Sequence, residues 1–432
     1  MKNLSTTSAA TLKHWLIDSR QRTRALYADL DGAQLLGPRL HIVNPPLWEI
    51  GHLGWFQEHW CLRSRGDDID LAPSILANAD QLYNSAIVAH ATRWDLPLPD
   101  IDTTQKYLDD VTERVLERLD REPDNGLLRY FAELAVFHED MHGEAFFYTR
   151  QTHGYSRPRL GTNSHATPGT AYLGDADISG EKFLLGAMPD TKTFVFDNEK
   201  WAHEIHVAPF RMAKATVTNG EFRNFVAADG YSRREWWSDA GWAWREKARA
   251  HHPLYWQSRN GEWYLREFDQ WIRIDECEHN AIIFVNWFEA EAYCQFAQRR
   301  LPTEAHWEYA ASSSAKRSTP WSPQDNARNA PPRANLDGMC IAPASAYESG
   351  DTPKDVRQMW GNVWEWTADW FAPYPGFVPD PYKEYSEPWF GDHKVLRGGC
   401  FATRSRLLRN TWRNFYTPDR RDVFAGFRTC AL

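Results

Sequence analysis

The sequence predicts two folded parts of different kinds: an N-terminal bundle of helices, and a C-terminal α+β domain in which regular structure is sparse. Three observations carry this. Through about residue 155, apolar and aromatic residues recur at helical spacing in long segments. Beyond a stretch rich in Gly, Thr, Pro and Ser between Ser156 and Gly180, short β-like runs alternate with Gly, Pro and Asn turns. The chain also holds 22 Trp, many in turns such as Trp236-Trp237, Trp242-Ala243-Trp244 and Trp360-Gly361-Asn362-Val363-Trp364-Glu365-Trp366. Large rings supply buried area where helices and strands are short, and a minority can line a pocket for a cation.

The first helix is read over Leu12 to Leu30, with Trp15, Leu16, Leu26, Tyr27 and Leu30 on one face. Pro45-Pro46 opens a second, running through Trp48, Ile50, His52, Trp55 and Trp60, because proline is tolerated where the first amide has no helical partner. A third covers Thr103 to Leu119 with Asp102 as its N-cap, and a fourth Asn125 to about Gln151. Four such helices make an antiparallel bundle the economical arrangement. The connection from Gly66 to Pro99 is long enough to suggest function. In the second half, strands are expected at Lys182 to Leu185, Glu204 to Val207, Ile282 to Val285 and Lys394 to Arg397, with one amphipathic helix from Trp287 to Gln298. The expected domains are therefore 1–155 and 181–432, with 156–180 as linker.

A chain of 432 residues, 42% hydrophobic and 25% charged, is ordinary for a globular protein with full cores. Its net charge of -9 gives no global attraction for nucleic acid or an anionic membrane, so small molecules are the expected partners. No apolar stretch approaches the ~20 residues of a membrane span, and the polar start has no apolar signal core, which points to the cytoplasm. Six scattered Cys without a C-x-x-C pair indicate reduced, mostly buried thiols.

The chemistry concentrates in Phe137-His138-Glu139-Asp140-Met141-His142-Gly143-Glu144. Two His four residues apart stack on one helix face, where two neutral nitrogens aimed at one point are most of a metal site. The run matches H-E-x-x-H, in which Glu acts as general base of a zinc peptidase. The extended form of that motif fails, since Ala145 and Tyr148 stand where Gly and His belong. A third ligand is available upstream in Leu47-Trp48-Glu49-Ile50-Gly51-His52, which a bundle can bring opposite the pair. Three imidazoles with open positions suit Fe(II), Zn or Cu. The plainer alternative makes His52 a hydrogen-bonded core residue and the pair a chance match.

The C-terminal half resembles the sulfatase-modifying-factor, or formylglycine-generating-enzyme, family, a C-type-lectin-like α+β fold. The matching segments run in order from Val217-Thr218-Asn219-Gly220-Glu221-Phe222 and Val285-Asn286-Trp287 through Arg300-Leu301-Pro302-Thr303-Glu304-Ala305-His306-Trp307-Glu308, the Trp360 to Thr367 turn, Leu396-Arg397-Gly398-Gly399-Cys400 and Gly426-Phe427-Arg428. Such a set is specific for fold, not for chemistry. A DinB-like four-helix bundle ahead of this domain resembles the ergothioneine-biosynthesis sulfoxide synthases and the related selenoneine synthases, along nearly the whole chain.

The resemblance implies a non-haem Fe(II) held by His52, His138 and His142, with Glu144 trailing the run, and leaves Glu139 as a carboxylate that supports either a ligand or the fold. It implies O2 as co-substrate and formation of a carbon–sulfur or carbon–selenium bond at C2 of the imidazole of hercynine, trimethylated histidine. A Tyr before the R-G-G segment would supply a proton or hydrogen atom, and both Tyr382 and Tyr385 qualify. The family's substrate segment falls on Arg413, Asn414, Phe415 and Tyr416, with Asn414 and Phe415 as its foremost hercynine contacts, unless Arg413 and Asn414 merely brace a loop.

Three departures bear on the donor. Met141 stands where relatives that use γ-glutamylcysteine or cysteine often have Gln, Glu49-Ile50-Gly51 replaces the usual His-Leu-Ala before the first ligand, and Tyr416 can be Asp elsewhere. Fewer polar contacts favour a neutral, hydroxyl-rich donor such as a selenosugar, read by Tyr83, Asn84 and Arg93 in the long loop. This leans toward selenoneine synthesis, with the ergothioneine-type thiol reaction as the alternative. A formylglycine-generating oxidase would need two Cys where Thr403 and Leu408 stand, leaving Cys400 as a buried thiol of unassigned role. A non-catalytic binding module would hold no metal.

Overall fold

The computed structural model describes residues 5–64, 72–160, 169–312 and 333–432. The start of the long loop (65–71), the middle of the expected linker (161–168), residues 313–332 and the first four residues lie outside the described residues. Two compact units emerge: Met1–Gly161 with the short segments Thr191–Phe194 and Asp380–Glu384, and Thr162–Asp190 with Val195–Pro379 and Tyr385–Leu432.

The first unit contains α1 (Ala9–Tyr27), a short α2 (Gly32–Leu36), α3 (Pro46–Glu58), a short α4 (Ala79–Tyr83), α5 (Ile101–Arg121) and α6 (Gly126–His153). Ser8 caps α1 by accepting from the Thr11 amide, and Asn125 caps α6 through the Leu128 amide. The cap of α5 is Asp100, which accepts from Thr103; Asp102, expected there, lies in the first turn, where its charge still complements the helix dipole. Helix α1 packs on α6, and α3 packs on α5 and α6. Helix α3 is buried almost all round, so its polar residues Glu49, His52, Gln57 and Glu58 need partners inside the bundle. Past Glu58 the helix widens, closing with an i→i+5 bond from the Ser64 amide to the His59 carbonyl at 2.7 Å.

The second unit is built from β1 (Asp175–Ile178), β2 (Glu181–Leu185), β3 (His203–Val207), β4 (Phe210–Ala213), α7 (Asn219–Ala227), α8 (Asp239–Ala248), β5 (Trp256–Arg259), β6 (Glu262–Glu267), β7 (Gln270–Arg273), α9 (Trp287–Phe296), β8 (Arg299–Arg300), α10 (Glu304–Ala311), β9 (Trp364–Trp370), β10 (Lys394–Arg397), β11 (Asn414–Tyr416), β12 (Ala425–Gly426) and β13 (Cys430–Ala431). Two sheets run in the orders β1-β4-β13-β8 and β11-β10-β9-β12, beside a β2-β3 pair and a β5-β6-β7 meander. Met212, Trp307, Val356, Met359 and Cys430 sit at the centre of the core of the first sheet.

Three sequence expectations change. Strand β1 lies inside the stretch read as linker and pairs antiparallel with β4. The run Ile282 to Val285 is buried but not a strand, because Phe284 takes a left-handed φ of 62° that breaks the extended repeat. The β5-β7 meander is an addition to the expected strands, although Asn260-Gly261 at its first turn, both at positive φ, is a strong hairpin signal.

The motif residues of this unit explain themselves as buried charge pairs. Arg397 donates to Glu308, Arg428 to both oxygens of Glu365, Arg409 to Glu199 and Arg413 to Glu304, all deeply buried. Guanidinium forks brace turns that have few backbone bonds of their own.

Candidate metal centre

His52 on α3 and His138 and His142 on α6 each present a ring nitrogen, and the three nitrogens lie within 4.8 Å of one another. The ring centroid of His52 stands 5.0 Å from that of His138 and 5.2 Å from that of His142, and those of His138 and His142 stand 4.5 Å apart. Burial pushes the pKa of both His52 and His138 well below the usual imidazole value, and the neighbouring His142 adds to this in each case. Imidazoles converging on one point, two of them favoured as neutral by burial, are what a transition metal takes as ligands, so the donor set fits such an ion.

Each ring is held differently. His52 Nδ1 lies 2.8 Å from the Tyr83 carbonyl, which only accepts, so Nδ1 carries the proton and Nε2 keeps a free electron pair. Trp48 stacks on His52 at 4.9 Å with planes 10° apart. Phe56 lies flat on His138 at 3.6 Å. His142 Nδ1 meets Glu49 Oε1 at 2.5 Å, with Glu49 itself buried on α3. Motif reasoning passes over that carboxylate. A signal for it exists all the same: Glu49 precedes His52 by three residues and so shares its helix face.

Glu139 of the H-E-x-x-H run points elsewhere. Its carboxylate accepts from Arg20 Nε at 3.0 Å, Arg20 Nη2 at 3.1 Å and Thr23 Oγ1 at 2.8 Å, bracing α1 against α6. Glu144 and Met141 share α6, Glu144 buried and Met141 half-buried.

The two candidate tyrosines separate cleanly. The Tyr382 ring lies edge-on to Phe56 at 4.9 Å, with Trp60 at 6.1 Å and His138 at 6.2 Å. Burial raises the pKa of its hydroxyl, which is therefore protonated at neutral pH. Tyr385 belongs to the second unit, where it stacks on Phe196 at 4.1 Å and accepts from Trp412 Nε1 at 3.3 Å.

Of the loop residues expected to read a donor, Tyr83 is buried against α3 and supplies its carbonyl to His52, while the Asn84 side chain accepts from the Ala86 amide. Arg93 lies over Trp48 at 3.8 Å, donates to Asn44 at 2.5 Å, and has its pKa lowered to about 10 by burial. Tyr83 and Arg93 thus brace His52 and the Trp stacked on it, and the Asn84 side chain bonds within its own turn. In the second unit, Arg413 is a bracing residue too: its guanidinium is spent on Glu304, the Asn198 carbonyl and the Ala372 carbonyl. Its neighbours on β11 are half-buried. Asn414 accepts from the Phe415 amide, Phe415 stacks on Phe371 at 4.1 Å, and Tyr416 lies under Arg420. Cys400 is fully buried, with its amide donating to Thr403 Oγ1.

Comparison with known proteins agrees with both halves. Residues 15–146 match the DinB superfamily, and residues 165–431 match the sulfatase-modifying factor enzyme 1-like domain. A hercynine oxygenase from Mycolicibacterium thermoresistibile is 35% identical over 99% of this chain and 96% of that protein. One from Mycobacterium tuberculosis is 34% identical over 98% and 99%. A formylglycine-generating enzyme from Streptomyces coelicolor is 28% identical, but over only 60% of this chain and 88% of that protein. No helix among the described residues is long and apolar enough to cross a membrane. With these matches covering 98–99% of its length, the chain belongs to the hercynine oxygenase family.

Proposed function

We propose that this protein uses Fe(II) at His52, His138 and His142 and O2 to form a carbon–chalcogen bond at C2 of the imidazole of hercynine. The observation that carries the reading is the convergence of three ring nitrogens within 4.8 Å, in a chain 35% identical to a hercynine oxygenase along 99% of its length. Iron at three imidazoles would supply open positions at which O2 and a sulfur or selenium donor meet. The surrounding side chains do the rest. Phe56, Trp60 and Tyr382 make the His138 side aromatic, and the Tyr382 hydroxyl, protonated at neutral pH, is the proton or hydrogen-atom source. Asn414 and Phe415 are the proposed hercynine contacts.

The proposed donor is a selenosugar. Supporting this are Met141, a side chain without a charge or amide next to His142, and Tyr416, which offers no carboxylate to an amino-acid ammonium. The test is aerobic incubation of the iron-loaded protein with hercynine and, separately, a selenosugar, a thiosugar, γ-glutamylcysteine and cysteine, with products read by mass. A selenium adduct of hercynine supports the reading. Turnover with the amino-acid thiols alone replaces the donor, and no hercynine product in any arm removes the activity.

A further inference from the structure

We propose that Glu49 is a positioning residue of the metal centre, acting through His142. The inference rests on the metal reading above and adds a residue to it.

The geometry is specific. Glu49 is 1% exposed, and its Oε1 lies 2.5 Å from His142 Nδ1. A carboxylate accepts and does not donate, so this contact places the imidazole proton on Nδ1 and leaves Nε2 as the ligand atom. The other two imidazoles have neutral supports, a backbone carbonyl for His52 and the face of Phe56 for His138. His142 is the one of the three whose side chain keeps appreciable exposure, at 20%, so packing alone holds it least. Glu49 supplies the restraint that packing does not.

It also supplies charge. Three neutral imidazoles leave a divalent ion's charge uncompensated by its ligands, whereas a site of two His and one carboxylate offsets one unit directly. Here the negative group sits one residue further out and reaches the ion through a charge-assisted hydrogen bond, which strengthens His142 as an electron-pair donor to the metal. One helix, α3, thus provides a ligand of its own and the partner of a ligand on α6, and ties the two helices together at the centre.

The test is a double-mutant cycle on the full-length protein, with Co(II) as probe. E49Q, H142A and the double variant are titrated with Co(II) against a chromophoric chelator, and the visible bands of bound Co(II) are recorded. E49Q is expected to bind about 10- to 100-fold more weakly than the parent, with shifted bands, and to add less than about twofold in the H142A background. Parental affinity and an unchanged spectrum in E49Q overturn the inference while leaving the metal reading standing. An equal loss in the H142A background overturns it as well, since Glu49 then acts without His142. An E49Q apoprotein that does not fold where H142A does assigns Glu49 to the fold and likewise overturns it. A parent that binds no Co(II) or iron overturns the metal reading itself.

Discussion

Phe56 lies flat against His138, ring centroids 3.6 Å apart and planes 4° apart, and Tyr382 meets that same Phe edge-on at 4.9 Å. The pairing places one of two candidate tyrosines beside the His138 imidazole and leaves the other, Tyr385, among Phe196, Phe415 and Trp412 of the second unit. Tyr382→Phe is therefore expected to lower hercynine turnover by about 100-fold or more, as loss of a positioned proton donor does, with metal affinity retained. Tyr385→Phe is expected to change turnover much less. Steady-state rates of the two variants decide between them, and the reverse order would move the role to Tyr385.

Glu139 is expected to behave as a structural carboxylate. It neutralises the buried Arg20, so Glu139→Ala leaves an uncompensated charge between α1 and α6, at a cost of about 3–5 kcal/mol. Chemical denaturation reads that loss. A stability close to the parent's, with turnover abolished, would return Glu139 to a catalytic role.

Gly51 is the close approach that lets Tyr83 reach His52. A Cβ at Gly51 would stand 2.2 Å from the Tyr83 ring, far inside van der Waals contact. Gly51→Ala is expected to push α4 outward, withdraw the Tyr83 carbonyl from His52 Nδ1, and lower stability by about 1–3 kcal/mol. Weaker metal binding should accompany the loss, measured by chelator competition; unchanged affinity would mean that the carbonyl does not orient His52.

His306 gives the second unit a pH dependence. Its Nδ1 accepts from the Thr303 amide while its own amide donates to Thr303 Oγ1, and burial lowers its pKa to about 4. Between that value and the ~6.5 of an unfolded His, the unfolded chain binds a proton that the folded chain does not. Stability should accordingly fall as pH drops from about 6.5 toward 4. His306→Gln keeps an acceptor without the titration, so its melting temperature should depend less on pH in that window. Identical pH profiles for parent and variant would contradict this.

Much of the site is legible in the chain because helices write spacing into sequence. His138 and His142 are neighbours at i,i+4, and Glu49 and His52 at i,i+3, although only the first pair belongs to a known metal motif. Tyr382 and Tyr385 lie in a segment with no periodicity, and no local pattern says which faces a histidine. Arg413 and Arg93 are read from sequence as groups for a ligand, and their buried partners within the chain, Glu304 and the face of Trp48, are set by tertiary packing that no local pattern displays. The strand expected at Ile282 to Val285 is broken by a single left-handed residue, Phe284, which apolar character does not reveal.

The central claim is that three imidazoles from two helices form one metal site. Anaerobic titration of the apoprotein with Fe(II), with bound iron counted after desalting, tests it most directly. The prediction is one iron per chain for the parent and almost none for His52→Ala or His138→Ala, each shown to be folded. Iron bound by both variants as tightly as by the parent would contradict it.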